Sequence, residues 1–322
     1  MNPKKIRDKY PSIMSIAPTP VQFLESIKND FGYNVFCKRE DLTGFAFGGN
    51  KTRKLDYLIY DAFEKGADTL IGVGAVQSNF CRLTAAMGRK AGLKVELVLG
   101  GKKPSKPTAN YLLDVLFGAN LHYVESEDWD KWEAKARQLE TDLRKKGKRP
   151  YFMPIGGSSP VGALGYVEAF FEIMDDQKYL DLNFDVIIHA TASAGTQSGL
   201  LVGAAAKNWK GKIIGIGVAK SDKQIADEVF LLSNKTAKPM NIKINRKRII
   251  VNNDYMGKKY GDLTKGCSEA VEYFARNEGI MLDYVYSGKA AAALLDMMKK
   301  RKFKKSENIL FIHTGGNVGL FR

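Results

Sequence analysis

The 322-residue sequence predicts an α/β fold of two open, twisted, mostly parallel sheets covered by helices. Three observations carry this. Apolar runs of strand length alternate with helical patterns through both halves of the chain. Glycine or small polar residues follow several of those runs, as they do where a strand turns into a helix. The length suits about two domains, and 44% hydrophobic with 26% charged residues is ordinary for a chain with a buried core.

The elements follow in order. Gly48-Gly49-Asn50-Lys51 opens a helical pattern with Leu55, Leu58, Ile59 and Ala62 on one face. Thr69 to Gly74 reads as a buried strand, Phe80 to Ala91 as a helix, and Lys94 to Leu99 as the next strand. A helix over Ala109 to Phe117, a strand at Leu121 to Val124 and a long polar helix over Asp128 to Lys145 come next, with Asp128 suited to the N-cap. Tyr151 to Ile155 is a short strand. In the second half, strands are predicted at Val186 to Ala190, Ile213 to Val218 and Ile309 to His313. Helices are predicted from Gln197 or Ser198 onward, at Asp222 to Leu232, Thr264 to Asn277 and Ser287 to Met298. Ser233 to Arg248 reads as a polar surface excursion. The sequence has neither internal repeats nor a low-complexity linker.

The net charge is +15, from 50 Lys+Arg against 35 Asp+Glu, which opens a nucleic-acid reading. The densest runs, Lys299 to Lys305 and Arg144 to Arg149, fall at predicted helix ends, where the dipole favours cations. No nucleic-acid motif accompanies them, so a solvated surface is the simpler account. No apolar run reaches the ~18 residues of a membrane span, and the basic start Met1 to Arg7 lacks the apolar stretch of a secretory signal. Cys37, Cys81 and Cys267 show no metal spacing and no disulfide framework, as expected of a protein in a reducing cytoplasm.

Sites in open α/β sheets gather beyond the carboxyl ends of strands. Lys51 follows two glycines that let backbone approach a ligand, and a lysine in an apolar pocket can attack an aldehyde. Gln77-Ser78-Asn79 opens a helix whose free N–H groups suit a carboxylate, although ordinary capping explains it too. Ser193 to Gly199 is a glycine-rich strand–helix turn suited to a phosphate. It lacks the Walker lysine and the dinucleotide spacing, so a phosphate without a nucleotide fits better. His313-Thr314-Gly315-Gly316 ends a strand, and Thr314 can offer a hydroxyl to a heteroaromatic nitrogen. His313 continues the apolar strand and reads as structural. A lysine, a phosphate loop, a carboxylate pocket and a ring-nitrogen partner are together what pyridoxal phosphate requires.

At this point the chain resembles the fold-type II pyridoxal-phosphate enzymes of the tryptophan synthase β-like class. More narrowly, it resembles the branch of D-cysteine desulfhydrase and 1-aminocyclopropane-1-carboxylate deaminase. The carrying segments are Lys38 to Gly44, Gly48 to Leu55, Gln77 to Asn79, Pro154 to Ser158, Gly162 to Glu168, Ser193 to Gly199, Glu278 to Ile280, Val285 to Ala290 and His313 to Gly316. The resemblance implies that Lys51 carries the cofactor as a Schiff base and that Asn79 meets the ring hydroxyl. It places Lys54 and the loop Ala194, Gly195 and Thr196 on the phosphate, and Thr314 at the pyridine nitrogen. Catalysis falls to Lys51, Ser78, Tyr260 and Tyr286. A small amino-acid substrate is expected against Ser78, Asn79, Phe80, Gly157 and Ser287. A small domain over residues 50–162 lies within a large domain of 1–49 and 163–322, and the family usually forms homodimers.

Within the branch, the deaminase pattern has Glu at Ser287 and Leu at Thr314, so the two hydroxyls follow the desulfhydrase pattern. A carboxylate near the ring would strengthen the electron sink, and sulfide loss needs less of one than cyclopropane opening. The expected reaction is therefore β-elimination from D-cysteine to pyruvate, ammonia and hydrogen sulfide. Cyclopropane ring opening and L-cysteate sulfo-lyase activity remain as alternatives. Phe80 departs from a usual polar residue and Tyr284 from a usual proline. A basic nucleic-acid-binding α/β protein and a cofactor-free binding protein are the readings from other classes.

Overall fold

Residues 15–322 are described in the computed structural model, and the chain begins there with β1 (Val21–Phe23), α1 (Glu25–Phe31) and β2 (Asn34–Lys38). It continues through α2 (Lys51–Glu64), β3 (Thr69–Ala75), α3 (Asn79–Lys90), β4 (Lys94–Gly100), α4 (Ala109–Leu116), β5 (Asn120–Val124), α5 (Trp129–Lys145) and β6 (Pro150–Phe152). The second half comprises α6 (Pro160–Tyr179), β7 (Val186–Thr191), α7 (Gly195–Ala206), β8 (Lys212–Gly217), α8 (Asp222–Ala237) and β9 (Ile250–Asn252). It ends with α9 (Lys265–Tyr273), α10 (Ser287–Lys299) and β10 (Asn308–Ile312).

Two sheets result. The smaller has the order β5-β4-β3-β6 and is wholly parallel. The larger has the order β1-β2-β10-β7-β8-β9, parallel except for the β1–β2 pair at one edge. β10 lies between β2 and β7, with Leu310 level with Phe36 on one side and Ile187 on the other. Such strands are covered on both faces and so read as continuous apolar runs. Ile309 and Phe311 join the core beneath α9 and α10, with Ala270 and Leu294. Leu310 and Ile312 join the opposite core, with Phe170, Leu200 and Val229 from α6, α7 and α8. In the small unit, Leu55, Leu58, Ile59 and Ala62 of α2 pack with Phe80, Leu83 and Met87 of α3, the face the helical spacing predicts.

The α/β expectation of two mostly parallel sheets holds, and several boundaries shift. α7 begins at Gly195, two residues before the expected start, because Ala194 turns the chain with φ +65°. α8 runs on to Ala237, where Ser233, Thr236 and Ala237 are buried in what read as a polar excursion. The strand expected at Tyr151 to Ile155 is Pro150–Phe152, after which Gly156 reverses the chain at φ +64°. The helix over Thr264 to Asn277 is α9 followed by a π turn at Phe274–Glu278. Asp128 does cap α5, accepting from the Asp130 N–H at 2.9 Å. No helix among the described residues is long and apolar enough to cross a membrane.

A buried ionic cluster fixes the direction of α2. The Arg53 guanidinium donates to both Glu40 oxygens, at 2.6 and 2.7 Å, and to both Glu172 oxygens, at 2.9 and 3.0 Å. Thr19 and Tyr166 complete Glu40, and Lys38 reaches Glu172 and Asp176 at 2.6 Å. The cluster ties the first turn of α2 to α6 and to the end of β2. Burial pushes the Glu172 carboxyl up, but Arg53 and Lys38 outweigh it and hold it down at about 2. The stability this adds is complete above 4.5, the ordinary glutamate value, and is lost as pH falls toward about 2. Arg53→Met leaves the buried Glu40 carboxyl without its ion-pair partner, and chemical denaturation should register a loss of about 3–5 kcal/mol. A loss under about 1 kcal/mol, the range of surface pairs, would show that the cluster does not hold the helix.

Candidate active site

The C-terminal ends of β3, β7 and β10 open on one cleft between the two sheets. Its walls include Lys51, Lys54, Ser78, Asn79, Phe80, the Ala194 to Thr196 turn, Tyr260, Tyr286 and Thr314. Residues singled out from distant parts of the sequence therefore meet in one place.

Lys51 is the first residue of α2. The strap before it lies against the turn after β10: Asn50 N–H donates to the Thr314 carbonyl at 3.0 Å. The approach is close enough that a Cβ on Gly315 would collide with the Gly49 backbone, and both residues have positive φ, +82° at Gly315 and +122° at Gly49. Lys51 Nζ bonds Asn50 Oδ1 at 3.0 Å. Burial lowers its ammonium to about 8, with the Asp283 charge opposing and the Arg82 charge assisting.

Lys54 lies one turn along the same helix and is 1% exposed. Its Nζ donates to the Gly156 carbonyl at 3.1 Å, and among the described residues no carboxylate pairs with it. Burial drives its pKa well below the lysine value, and the Lys51 charge adds to this. The amine faces the N-terminus of α7, where a Cβ on Gly195 would come 2.7 Å from Lys54 Nζ and 2.8 Å from Ser158 Oγ. A buried amine without a carboxylate partner among the described residues, beside a helix N-terminus kept open by glycine, fits a phosphate, whose charge would favour its protonated form. The residues present therefore suit a phosphorylated aldehyde, with Lys51 on the carbonyl and Lys54 on the phosphate.

Ser78 caps α3, accepting from the Cys81 N–H at 3.2 Å, so the helix N-terminus and hydroxyl face the cleft together. Thr314 also faces the cleft, while His313 is fully buried and bonds the Met281 carbonyl at 2.8 Å. The Tyr260 and Tyr286 hydroxyls hydrogen-bond each other. Burial raises both phenols, and for Tyr286 the neighbouring Tyr260 raises it further. Both therefore keep their protons near neutral pH.

Two expected substrate contacts stand back from the cleft wall. Ser287 is fully buried, and its hydroxyl donates to Asp283 Oδ1 at 2.7 Å and accepts from Asp283 N–H at 2.9 Å. The turn needs this hydroxyl, because Asp283 also gathers the N–H groups of Val285, Tyr286 and Ser287. Gly157 lies behind Phe80, where a Cβ would come 2.9 Å from the ring, and Phe80 itself forms the apolar wall. Trp129 and Trp132 were not foreseen in the site. They stack at 5.9 Å, and Trp129 meets Tyr260 edge-on at 6.0 Å. The strand-end rule could have found them, since they follow the carboxyl end of β5.

Comparison with known proteins agrees with this geometry. Residues 13–315 match the family described as pyridoxal-phosphate dependent enzyme. A Pyrococcus furiosus protein named "Putative 1-aminocyclopropane-1-carboxylate deaminase" is 40% identical over all of this chain and 97% of its own. The crystal structure of an ACC deaminase homologue superposes with a TM-score of 0.89 at 37% identity, covering all of this chain and 97% of the other. Threonine deaminase isoform 2 of Solanum lycopersicum, at 16% identity, shares the fold with a TM-score of 0.68 over 98% of this chain and 86% of that one. The chain belongs to the pyridoxal-phosphate dependent enzymes of fold type II, and pyridoxal 5'-phosphate is its cofactor.

Proposed function

We propose that the protein is a carbon–sulfur lyase that eliminates sulfide from D-cysteine, giving pyruvate, ammonia and hydrogen sulfide with the uptake of one water. The observation that carries this is the make-up of the cleft. Thr314 offers a hydroxyl, and among the described residues no Asp or Glu lines the wall. A neutral hydroxyl does little to keep a pyridine nitrogen protonated, which favours a reaction with a good leaving group over one needing a strong electron sink. Among the described residues the wall carries no Lys or Arg beyond Lys51 and Lys54, so a neutral thiol suits it better than an anionic sulfonate.

Pyridoxal phosphate, when bound, would supply a carbonyl for the substrate amine and an electron sink for Cα. The protein does the rest. Lys54, Gly195 and Thr196 hold the phosphate. The Ser78 hydroxyl and the open N-terminus of α3 orient the substrate carboxylate. Lys51, neutral above about 8, takes the α-proton. That role falls to Lys51 rather than to a tyrosinate, because Tyr260 and Tyr286 stay protonated. Their shared hydroxyls hold a proton for the departing sulfur, and Phe80 and Trp129 keep the region apolar.

The names of the Pyrococcus relative and of the solved homologue favour a second reading, ring opening of 1-aminocyclopropane-1-carboxylate. Steady-state assays with D-cysteine, β-chloro-D-alanine, L-cysteate and 1-aminocyclopropane-1-carboxylate separate the two. Pyruvate should form from the first two. Appearance of 2-oxobutyrate from the cyclopropane as the best substrate would overturn the elimination reading.

A further inference from the structure

Asn79 is the first residue of α3 and faces the cleft, and its orientation is set from behind. Its Oδ1 accepts from Arg82 Nη1 at 3.0 Å and from Asn110 Nδ2 at 3.1 Å. Arg82 Nη1 also donates to Asn110 Oδ1 at 2.8 Å, and Asn110 Nδ2 donates to the Gln77 carbonyl at 2.9 Å. A guanidinium can only donate. Asn110 must therefore turn its oxygen to Arg82, which sends its NH₂ to Gln77 and Asn79. Asn79 in turn has its oxygen held behind, which leaves its NH₂ as the group presented to the cleft. One donor-only side chain thus fixes two amides in series.

Packing alone does not account for Arg82. It is fully buried, and so is Asp114, which interacts with it electrostatically. Yet among the described residues neither Asp114 oxygen nor Arg82 Nε has a hydrogen-bond partner. An apolar side chain would fill such a volume without the desolvation cost of a buried guanidinium. What Arg82 alone supplies is the fork of donors. Its Nη2 donates to the Gly48 carbonyl at 2.7 Å, so the same fork also braces the strap before Lys51.

We infer that Arg82 is a positioning residue that acts through Asn110 to hold the Asn79 NH₂ toward the cleft, where it donates to the ionised 3-oxygen of the pyridoxal ring. The inference rests on Asn79 lying against that oxygen. A donor facing this atom favours the oxyanion, whereas a flipped amide would present an acceptor and favour the protonated phenol. Arg82 would then select the ionisation state of a group it never touches.

The test is cofactor affinity of the apoprotein, read by quenching of Trp129 and Trp132, with pyridoxal phosphate and with its analogue lacking the 3-oxygen. Asn110→Asp keeps the acceptor for Arg82 but loses the NH₂, and Arg82→Met removes the fork. Each should weaken pyridoxal phosphate by at least about tenfold, the scale of one hydrogen bond to a charged group. Each should leave the analogue within about twofold of wild type. In an Asn79→Ala background, Asn110→Asp should cost nothing further, as expected of residues acting in series. Equal losses for cofactor and analogue, or additive losses in the double variant, would assign Arg82 a purely structural role. If Arg82→Met does not fold, unchanged affinity in Asn110→Asp overturns the inference by itself. Failure of the wild-type protein to bind pyridoxal phosphate would be a separate result, against the cofactor.

Discussion

Lys51→Ala removes steady turnover, with activity falling by at least about 10³-fold, because one amine serves as both the attachment point and the base. The variant should also lose the visible absorbance of the lysine-bound cofactor while keeping its fold. The pH dependence of cofactor capture gives an independent check. Only the neutral amine attacks, and burial brings Lys51 to about 8 from the ordinary 10.5. Capture by the apoprotein should therefore accelerate as pH rises and level off above about 8 rather than above 10.5. Stability of the apoprotein follows the same sign. A lowered lysine pKa means that the unfolded chain binds the proton more tightly, so this contribution to stability rises between those two values. Full activity in Lys51→Ala would sink the assignment.

Lys54→Met should show opposite effects with and without cofactor. In the apoprotein the lysine is a buried amine with a single carbonyl partner, and charging it on burial is unfavourable. Methionine fills the same space without that penalty, so the apo variant should melt above the apo wild type. With pyridoxal phosphate present the order reverses, because the phosphate loses the buried Lys54 amine beside it. The loss should be about 2–5 kcal/mol of binding, or roughly 30-fold to several thousand-fold in affinity. Thermal melts with and without pyridoxal phosphate read both effects at once. A variant that melts lower in both conditions would show Lys54 to be structural, with the phosphate held elsewhere.

The residues that the sequence disclosed lie at the ends of strands. Lys51, Ser78, the Ala194 to Thr196 turn and Thr314 sit where apolar runs stop abruptly at small or polar residues, and a parallel sheet brings such ends to one side. Helix limits were less legible where side-chain chemistry and burial disagree. Ser233 and Thr236 read as surface, yet they are buried against neighbouring elements. The short β1 and β2 and the helix α6 drew no element assignment, since three to five residues or a weakly patterned helix leave little periodicity to detect. Ser287 shows a different limit. Its place in the motif was legible, but the direction of its hydroxyl depends on Asp283, whose carboxylate organises the preceding turn. Trp129 and Trp132 enter the site because the segment bearing Tyr260 comes against the start of α5, a contact that no local pattern encodes.

The position of β10 has a consequence for biosynthesis. All four strands of the small sheet lie within residues 69–152, so that sheet can close early on the ribosome. The large sheet cannot. Its strand β2 is translated by residue 38, but it lies between β1 and β10, and β10 is translated after every other strand. Until residues 308–312 leave the exit tunnel, β2 and β7 face an empty slot with exposed, aggregation-prone edges. Thr314, which follows that strand, is thus among the last parts of the cleft to arrive, so a nascent chain can carry Lys51 long before it has a site to work in.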